Sequence, residues 1–199
     1  MKTLTDIEAL EALYGPAMEA AITKVTQRVT PLYHRWIEAS RFLILSTVGP
    51  EGTDATPRGD DGPVVRIVDD NTIWLPDWRG NNRIDNLRNI VRDGRVSLMF
   101  MVPGANNVVR VNGTAVVSDD PQVTATFEQR GKHPKTVIVI HVGEVYFQCA
   151  KALLRSGLWT RNDSDGLPSA GDFLKAIHEG FDGESYDAGY AENAKGRMW

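Results

Sequence analysis

Apolar residues change their spacing along this chain, and each change marks a different kind of element. Over the first forty residues they recur at helical intervals: Ile7, Leu10 and Leu13, then Met18, Ala21, Ile22 and Val25, then Trp36 and Ile37. Thr5 and Glu8 stand at capping-box spacing before the first set. Gly15-Pro16 breaks that helix, and Thr30-Pro31 offers an N-cap and N1 pair to the third. From Phe42 the period shortens. Residues 42–48 read as a buried strand closed by the turn Gly49-Pro50-Glu51-Gly52, and residues 54–57 as a short strand that Pro57 confines to an edge or bulge. Val64-Val65-Arg66-Ile67-Val68 and Thr72-Ile73-Trp74-Leu75 are β-branched and aromatic around Asp69-Asp70-Asn71, which predicts a hairpin.

Ile84, Leu87, Ile90 and Val91 then give residues 81–91 one apolar stripe, with Gly94 as C-cap. Residues 96–102 form a nearly unbroken apolar run suited to a central strand, and residues 108–118 a second strand. Asp119-Asp120-Pro121 caps a helix reaching about Gln129. The last long strand covers 136–147, and one further helix falls at 173–178 in a Gly-, Asp- and Ser-rich stretch. About six strands with mostly antiparallel connections predict a mainly β fold, a closed barrel with peripheral helices. The expected organisation is a single domain over 1–199: helices in 1–40, barrel in 41–159, and a polar extension in 160–199.

Composition narrows the function classes. A chain of 199 residues suits one domain and buries roughly 70% of its unfolded surface. Its net charge of −4 argues against nucleic acid as a partner. The N-terminus carries acids and lacks a signal-peptide core, and no stretch approaches the apolar length of a membrane span, so the expectation is a cytoplasmic protein without a membrane partner. Cys149 is the only cysteine, which excludes an intrachain disulfide; it reads as a small buried residue rather than a nucleophile. His34, His133, His141 and His178 are dispersed, so no metal site is expected. No phosphate-binding GxxxxGK[ST] loop, strand-linked GxGxxG or GxSxG elbow is present.

Candidate chemistry gathers between Thr56 and Arg83. A helix start exposes unpaired N–H groups and a positive dipole end, which normally attract carboxylates. Here Arg79 precedes the helix predicted at 81–91, and Arg83 falls in its first turn. Cations there are unfavourable unless an anion binds, and phosphate is the usual such anion. The competing reading is an ordinary ion network in which Asp77 and Asp85 neutralise the arginines and Asn81 is a plain N-cap. Gly59, next to Arg58, permits close backbone approach to a ligand, or simply completes a surface turn with Asp60. Arg66 lies among apolar residues, and alternation leaves open whether it faces inward.

PRGD at 57–60, LPDWRGNNR at 75–83, RVSLMFMVPG at 95–104 and VRVNGTA at 109–115 resemble, in that order, the pyridoxamine 5′-phosphate oxidase-like flavoproteins. EVYFQCAKALLRSGLW at 144–159 resembles the closing segment of one branch of that family, so the resemblance covers roughly 42–159. It implies an FMN-binding split β-barrel, a homodimer with the flavin at the subunit interface, and an oxidoreductase acting on a small-molecule substrate. By resemblance Arg58, Gly59 and Asp60 line the flavin, and Val65 and Arg66 lie on the strand beneath it. Pro76 and Asp77 follow the ring edge, while Asn81, Asn82 and Arg83 start the phosphate-binding helix. Family members commonly present Ser-Arg-Lys where this chain has Asn-Asn-Arg, so Arg79 or Arg58 supplies the missing charge. Lys151, Arg155 and Trp159 are expected to complete the partner's site, or else to be a solvated helix face and a core anchor. No residue is assigned as catalytic. The alternatives are a non-catalytic flavin-binding or stress-associated protein, or the same barrel holding a deazaflavin or haem, with His141 as the haem's axial candidate.

Overall fold

Strict alternation in Phe42–Gly49 (β1) turns Leu43, Leu45 and Thr47 inward and leaves their neighbours half-buried. The same period repeats in Arg95–Met101 (β5), where Val96, Leu98 and Phe100 point into the core. A computed structural model describes all 199 residues and places these two strands near the middle of one seven-stranded sheet. The other strands are Gly52–Gly59 (β2), Arg66–Asp69 (β3), Thr72–Asp77 (β4), Val108–Ser118 (β6) and Thr136–Gln148 (β7). Their order is β2-β1-β5-β6-β7-β4-β3, and every pairing is antiparallel. This is the split barrel that the resemblance implies, whereas the closed barrel suggested by strand count alone is not formed: β2 and β3 remain edges and do not pair with each other. Pro57 accordingly sits on the edge strand β2, where its missing N–H breaks no central ladder.

The core is the inner face of that sheet. Ile73 and Leu75 of β4, Val111 of β6 and Ile138 and Ile140 of β7 are fully buried with the β1 and β5 residues. Pro31–Ala39 (α3) adds Ile37, and Asp85–Arg92 (α4) adds Ile90. The paired strands β6 and β7 bend at a bulge between Asn112 and Gly113. A Cβ built on Gly113 would lie 2.1 Å from the His141 carbonyl oxygen, so only glycine fits this bend.

Several helices depart from the sequence reading. Ile7–Tyr14 (α1) is capped by the Asp6 carboxylate, which accepts from the Glu8 N–H at 2.9 Å, and not by a Thr5–Glu8 box. Neither α1 nor Glu19–Thr23 (α2) contributes a buried residue, so their apolar positions lie exposed rather than packed on the sheet. Pro121–Thr124 (α5) stops well short of Gln129, because residues 129–132 form a tight turn with mutual backbone hydrogen bonds. Arg130 and Gly131 occupy its two central positions with φ of 52° and 74°, as such hairpin turns require. Cys149 is exposed, contrary to expectation, since it lies just beyond the end of β7.

After Lys151–Ser156 (α6), two helices pack on each other: Ala170–Ile177 (α7), longer than the helix predicted at 173–178, and Gly183–Lys195 (α8), which the sequence reading missed. Gly171 and Gly183 meet so closely that a Cβ on Gly171 would come within 2.3 Å of the Gly183 carbonyl oxygen. Ser169 and Asp172 form a full capping box on α7, and Asp182 caps α8. Both carboxyls titrate below the usual range because they accept hydrogen bonds from cap residues, Asp172 from Ser169 and Asp182 from Ser185.

Two outcomes follow for stability. Gly113→Ala should destabilise the fold by about 1–3 kcal/mol in urea denaturation, whereas Gly196→Ala, with open space around it, should shift it by less than about 0.5 kcal/mol. Because folding lowers the pKa of Asp172 and Asp182, their stabilisation is present above the unfolded value and lost as pH falls through the folded one. Amide protection in α7 and α8 should therefore hold down to about pH 4 and decline below it. Protection already lost between neutral pH and 5 would contradict this account.

Candidate functional site

The site is positioned by the way α4 is fastened to the sheet. Asn86 and Asn89 on its inner face are buried, and their amide groups donate to the Thr47 hydroxyl of β1 at 2.9 and 3.1 Å. The Asn86 carbonyl side also bonds the Thr56 hydroxyl of β2. Buried amides satisfied in this way hold one register, because any slip would strand them without partners. The chain between β4 and α4 must then turn sharply. Asn82 and Ile84 adopt φ of 60° and 52°, and for a β-branched residue such as Ile84 that conformation is strained. Strain of this kind persists only where surrounding contacts enforce it.

This left-handed step explains why α4 begins at Asp85 and not at Asn81. Asn81 therefore does not cap the helix; its Oδ1 accepts from the Arg83 N–H at 3.0 Å, closing the loop on itself. Arg83 precedes the helix instead of lying in its first turn. Its guanidinium pairs with Asp85 at 2.8 Å in an exposed contact. Arg58, at the end of β2, pairs with Asp77, at the end of β4, at 2.5 Å. The ion-network reading is thus realised for Arg83 but not for Arg79, because Asp77 neutralises Arg58 instead. Yet the Arg58 Nε is buried with no hydrogen-bond partner, so its pairing is incomplete.

A cavity of about 470 Å³ opens over this corner. Arg58, Asp77, Arg79, Asn81 and Asn82 line it, together with Trp78, Gly80 and Ile84. Its opposite wall is the segment Lys132-His133-Pro134-Lys135 and the side chain of Trp199. Arg79 and Lys135 have no ion-pair partner, so the cavity is cationic in a chain of net charge −4. An adjoining recess of about 430 Å³ shares Arg58 and Asn81 and adds Arg83, Asp54 and Thr56. Asp54 Oδ2 is buried there without a partner.

Asp60 connects the walls. Its Oδ2 accepts from Trp78 Nε1 at 2.6 Å, and its Oδ1 from the Asp61 N–H at 2.7 Å and Gln129 Nε2 at 3.0 Å. Trp199 Nε1 is a further donor to Oδ1 at 3.2 Å. On the far side of Trp78 a third recess of about 510 Å³ holds Asp60, Val65 and Arg66. Arg66 faces outward, donating to the Thr126 carbonyl at 2.7 Å with its guanidinium 4.4 Å from the Phe127 ring centre. Gly59 ends β2 beside Arg58, and Pro76 is buried in β4, so neither side presents a functional group to the cavity.

Lys151, Arg155 and Trp159 are not brought to this cavity. The first two lie exposed on α6, and Trp159 Nε1 donates to the Ala105 carbonyl at 2.8 Å, between β5 and β6. His141 is exposed on β7 and lines none of these recesses. His133 does line the cavity, with Nδ1 2.6 Å from the Phe127 carbonyl oxygen. Sequence reading missed Lys132, His133, Lys135 and Trp199. The available signal was the density of cations in EQRGKHPK at 128–135, masked by reading its start as helix.

No group of three or more acidic, histidine or cysteine residues suited to a metal ion is present, and no helix is long and apolar enough to cross a membrane. Thr47 should be the anchor of this geometry: Thr47→Val keeps the volume but strands two buried amides. It is expected to lower stability by about 1–3 kcal/mol. Ser46→Ala on the opposite face should have a smaller effect, as compared by thermal denaturation.

No curated protein sequence matches the chain. Among solved structures it is similar to a histidine-to-alanine variant of HupZ from Group A Streptococcus, with 19% identity and a TM-score of 0.50, over 60% of this chain and 99% of that one. It is also similar to general stress protein 26 from Bacillus anthracis, with 17% identity and a TM-score of 0.43, over 57% of this chain and 88% of that one. A nimC/nimA family protein from Clostridium acetobutylicum aligns with 15% identity and a TM-score of 0.44, over 72% and 95% of the two chains. At these identities the likeness is one of fold alone. The family model described as pyridoxamine 5′-phosphate oxidase matches residues 29–149, more than half of the sequence, from just before α3 to just past the end of β7, and the chain belongs to that family.

Proposed function

We propose that this chain binds FMN in the cationic cavity and serves as an FMN-dependent oxidoreductase on a small-molecule substrate, as a homodimer. The observation that carries the reading is the charge of the cavity. Arg79 and Lys135 have no ion-pair partner, Lys132 donates to the Trp199 main-chain oxygen at 2.7 Å, and the Arg58 Nε is buried and unpartnered in the same lining. Cations gathered around one cavity favour an anion within it. A phosphate ester supplies the missing acceptors, and each charge-assisted hydrogen bond to it is worth about 1.5–3 kcal/mol. The residues present therefore fit a phosphorylated ligand.

Arg79 is the proposed phosphate partner, with the amides of Asn81 and Asn82 beside it; Arg58, whose Nη1 is held by Asp77, can add only its unpaired Nε. Arg83 is a weaker candidate than its sequence position suggests, because Asp85 already neutralises it. The exposed Arg83–Asp85 pair contributes little, so a phosphate entering the adjoining recess can still recruit that guanidinium. Asp60, fixed by its donors, sets the polar edge against which a ring is oriented. The flavin ring, when bound, supplies the redox chemistry, and the protein supplies position, charge and shielding from water. Lys151, Arg155 and Trp159 remain proposed contributors to the site of a second subunit.

Titration of the protein with FMN, followed by flavin fluorescence, tests the reading. Arg79→Ala should weaken binding about tenfold or more. Lys24→Ala should leave it unchanged, since Lys24 lies over the Tyr146 and Phe147 rings away from the cavity. Affinity should fall with added salt. Absence of binding, or equal affinity in Arg79→Ala and Lys24→Ala, rejects the assignment. Sedimentation of the FMN-loaded protein as a monomer would reject the dimeric site.

A further inference from the structure

Trp199 reaches the site from the opposite end of the chain and is held there by three chemically distinct contacts. Its indole Nε1 donates to Asp60 Oδ1 at 3.2 Å. The Arg130 guanidinium lies 4.5 Å from its ring centre. Its main-chain oxygen accepts from Lys132 Nζ at 2.7 Å. An N–H donor, a flat π-face and an acceptor oxygen are thus each met by the complementary group.

The recess that receives these groups is built without Trp199. Asp60 is oriented by Trp78, Asp61 and Gln129. Arg130 and Lys132 stand on the turn locked by reciprocal backbone hydrogen bonds between Gln129 and Lys132, both 2.9 Å. Trp199 itself is carried on four residues beyond α8, and α8 packs on α7. The recess is fixed by hydrogen bonds that do not involve Trp199, and its occupant stands on the four residues beyond α8. The occupant also covers Lys132, one of the cations that line the cavity.

We infer that Asp60, Arg130 and Lys132 form a recognition subsite for a flat nitrogen heteroaromatic acid: a ring with an N–H donor, bearing a side chain that ends in an anionic oxygen. Trp199 fills this subsite from within the chain and is displaced when such a ligand binds. The N–H selects through Asp60, the ring stacks under Arg130 with cation–π attraction, and the acid takes over the ammonium of Lys132. A tethered occupant competes at a high effective concentration. If it holds the subsite nine-tenths of the time, an external ligand binds about tenfold more weakly than to the open form.

Calorimetric titration of the flavin-free protein with indole-3-propionate tests this directly. Trp199→Ala should bind the acid about tenfold more tightly than the wild type. In the Trp199→Ala background, adding Asp60→Asn or Lys132→Ala should each remove that gain. Indole-3-propionate methylated on the ring nitrogen should bind Trp199→Ala at least tenfold more weakly than the parent acid. Thermal denaturation of each variant establishes that it is folded, and the methylated ligand tests Asp60 without any substitution there. Equal affinity in wild type and Trp199→Ala, indifference to ring methylation, or no binding by any variant would overturn the proposal. The titration contains no flavin, so its failure leaves the FMN reading intact, and failure of FMN to bind leaves this subsite standing.

Discussion

One carboxylate, Asp60, joins four separate parts of the chain at the edge of the cavity. It stands just past the end of β2 and accepts from the loop after β4, from the turn before β7 and from the segment beyond α8. With the Asp61 N–H, four donors converge on it, three on Oδ1 and one on Oδ2. An acceptor so fully used is fixed in orientation, and it fixes its donors in turn. The mouth of the cavity therefore has a defined shape although three of its walls are loops.

The floor of the same cavity depends on a second buried polar contact, the pairing of Asn86 and Asn89 with Thr47. It holds α4 in register against β1 and so dictates where the chain from β4 must arrive. The positive φ values of Asn82 and Ile84 are the consequence. Two of the three non-glycine residues at positive φ fall in the loop between β4 and α4 that carries Arg79 and Asn81.

Charge follows the same division between local and long-range. Arg83 and Asp85 are two residues apart and find each other locally, in water, with little gain. Arg58 and Asp77 are nineteen residues apart and meet only because β2 and β4 end at the same corner. Lys132 and Lys135 come to that corner from a third direction. Net charge along the sequence is negative, and the positive field of the cavity exists only after folding has gathered these residues.

The strands were legible because period-two burial writes itself directly into composition: the run at 108–118 coincides with β6, and β1, β5 and β7 lie within two residues of their expected limits. The β3–β4 hairpin and its Asp-Asp-Asn turn were legible for the same reason, as were Arg58, Asp77, Arg79, Asn81 and Asn82 as neighbours of one site. Helix limits were less so. Residues 81–84 have helical periodicity, but the anchoring of Asn86 forces them into a left-handed step, and residues 125–129 yield to a turn fixed by Arg130 and Gly131. By itself, the sequence determined the alternating strands, their antiparallel succession and the cationic segment between β4 and α4, since these depend on near neighbours. Tertiary structure alone decided that Asp77 neutralises Arg58, and that Lys132, Lys135 and Trp199 line the same cavity. Those outcomes depend on contacts between residues far apart in the chain, whose closure is set by packing and not by local pattern.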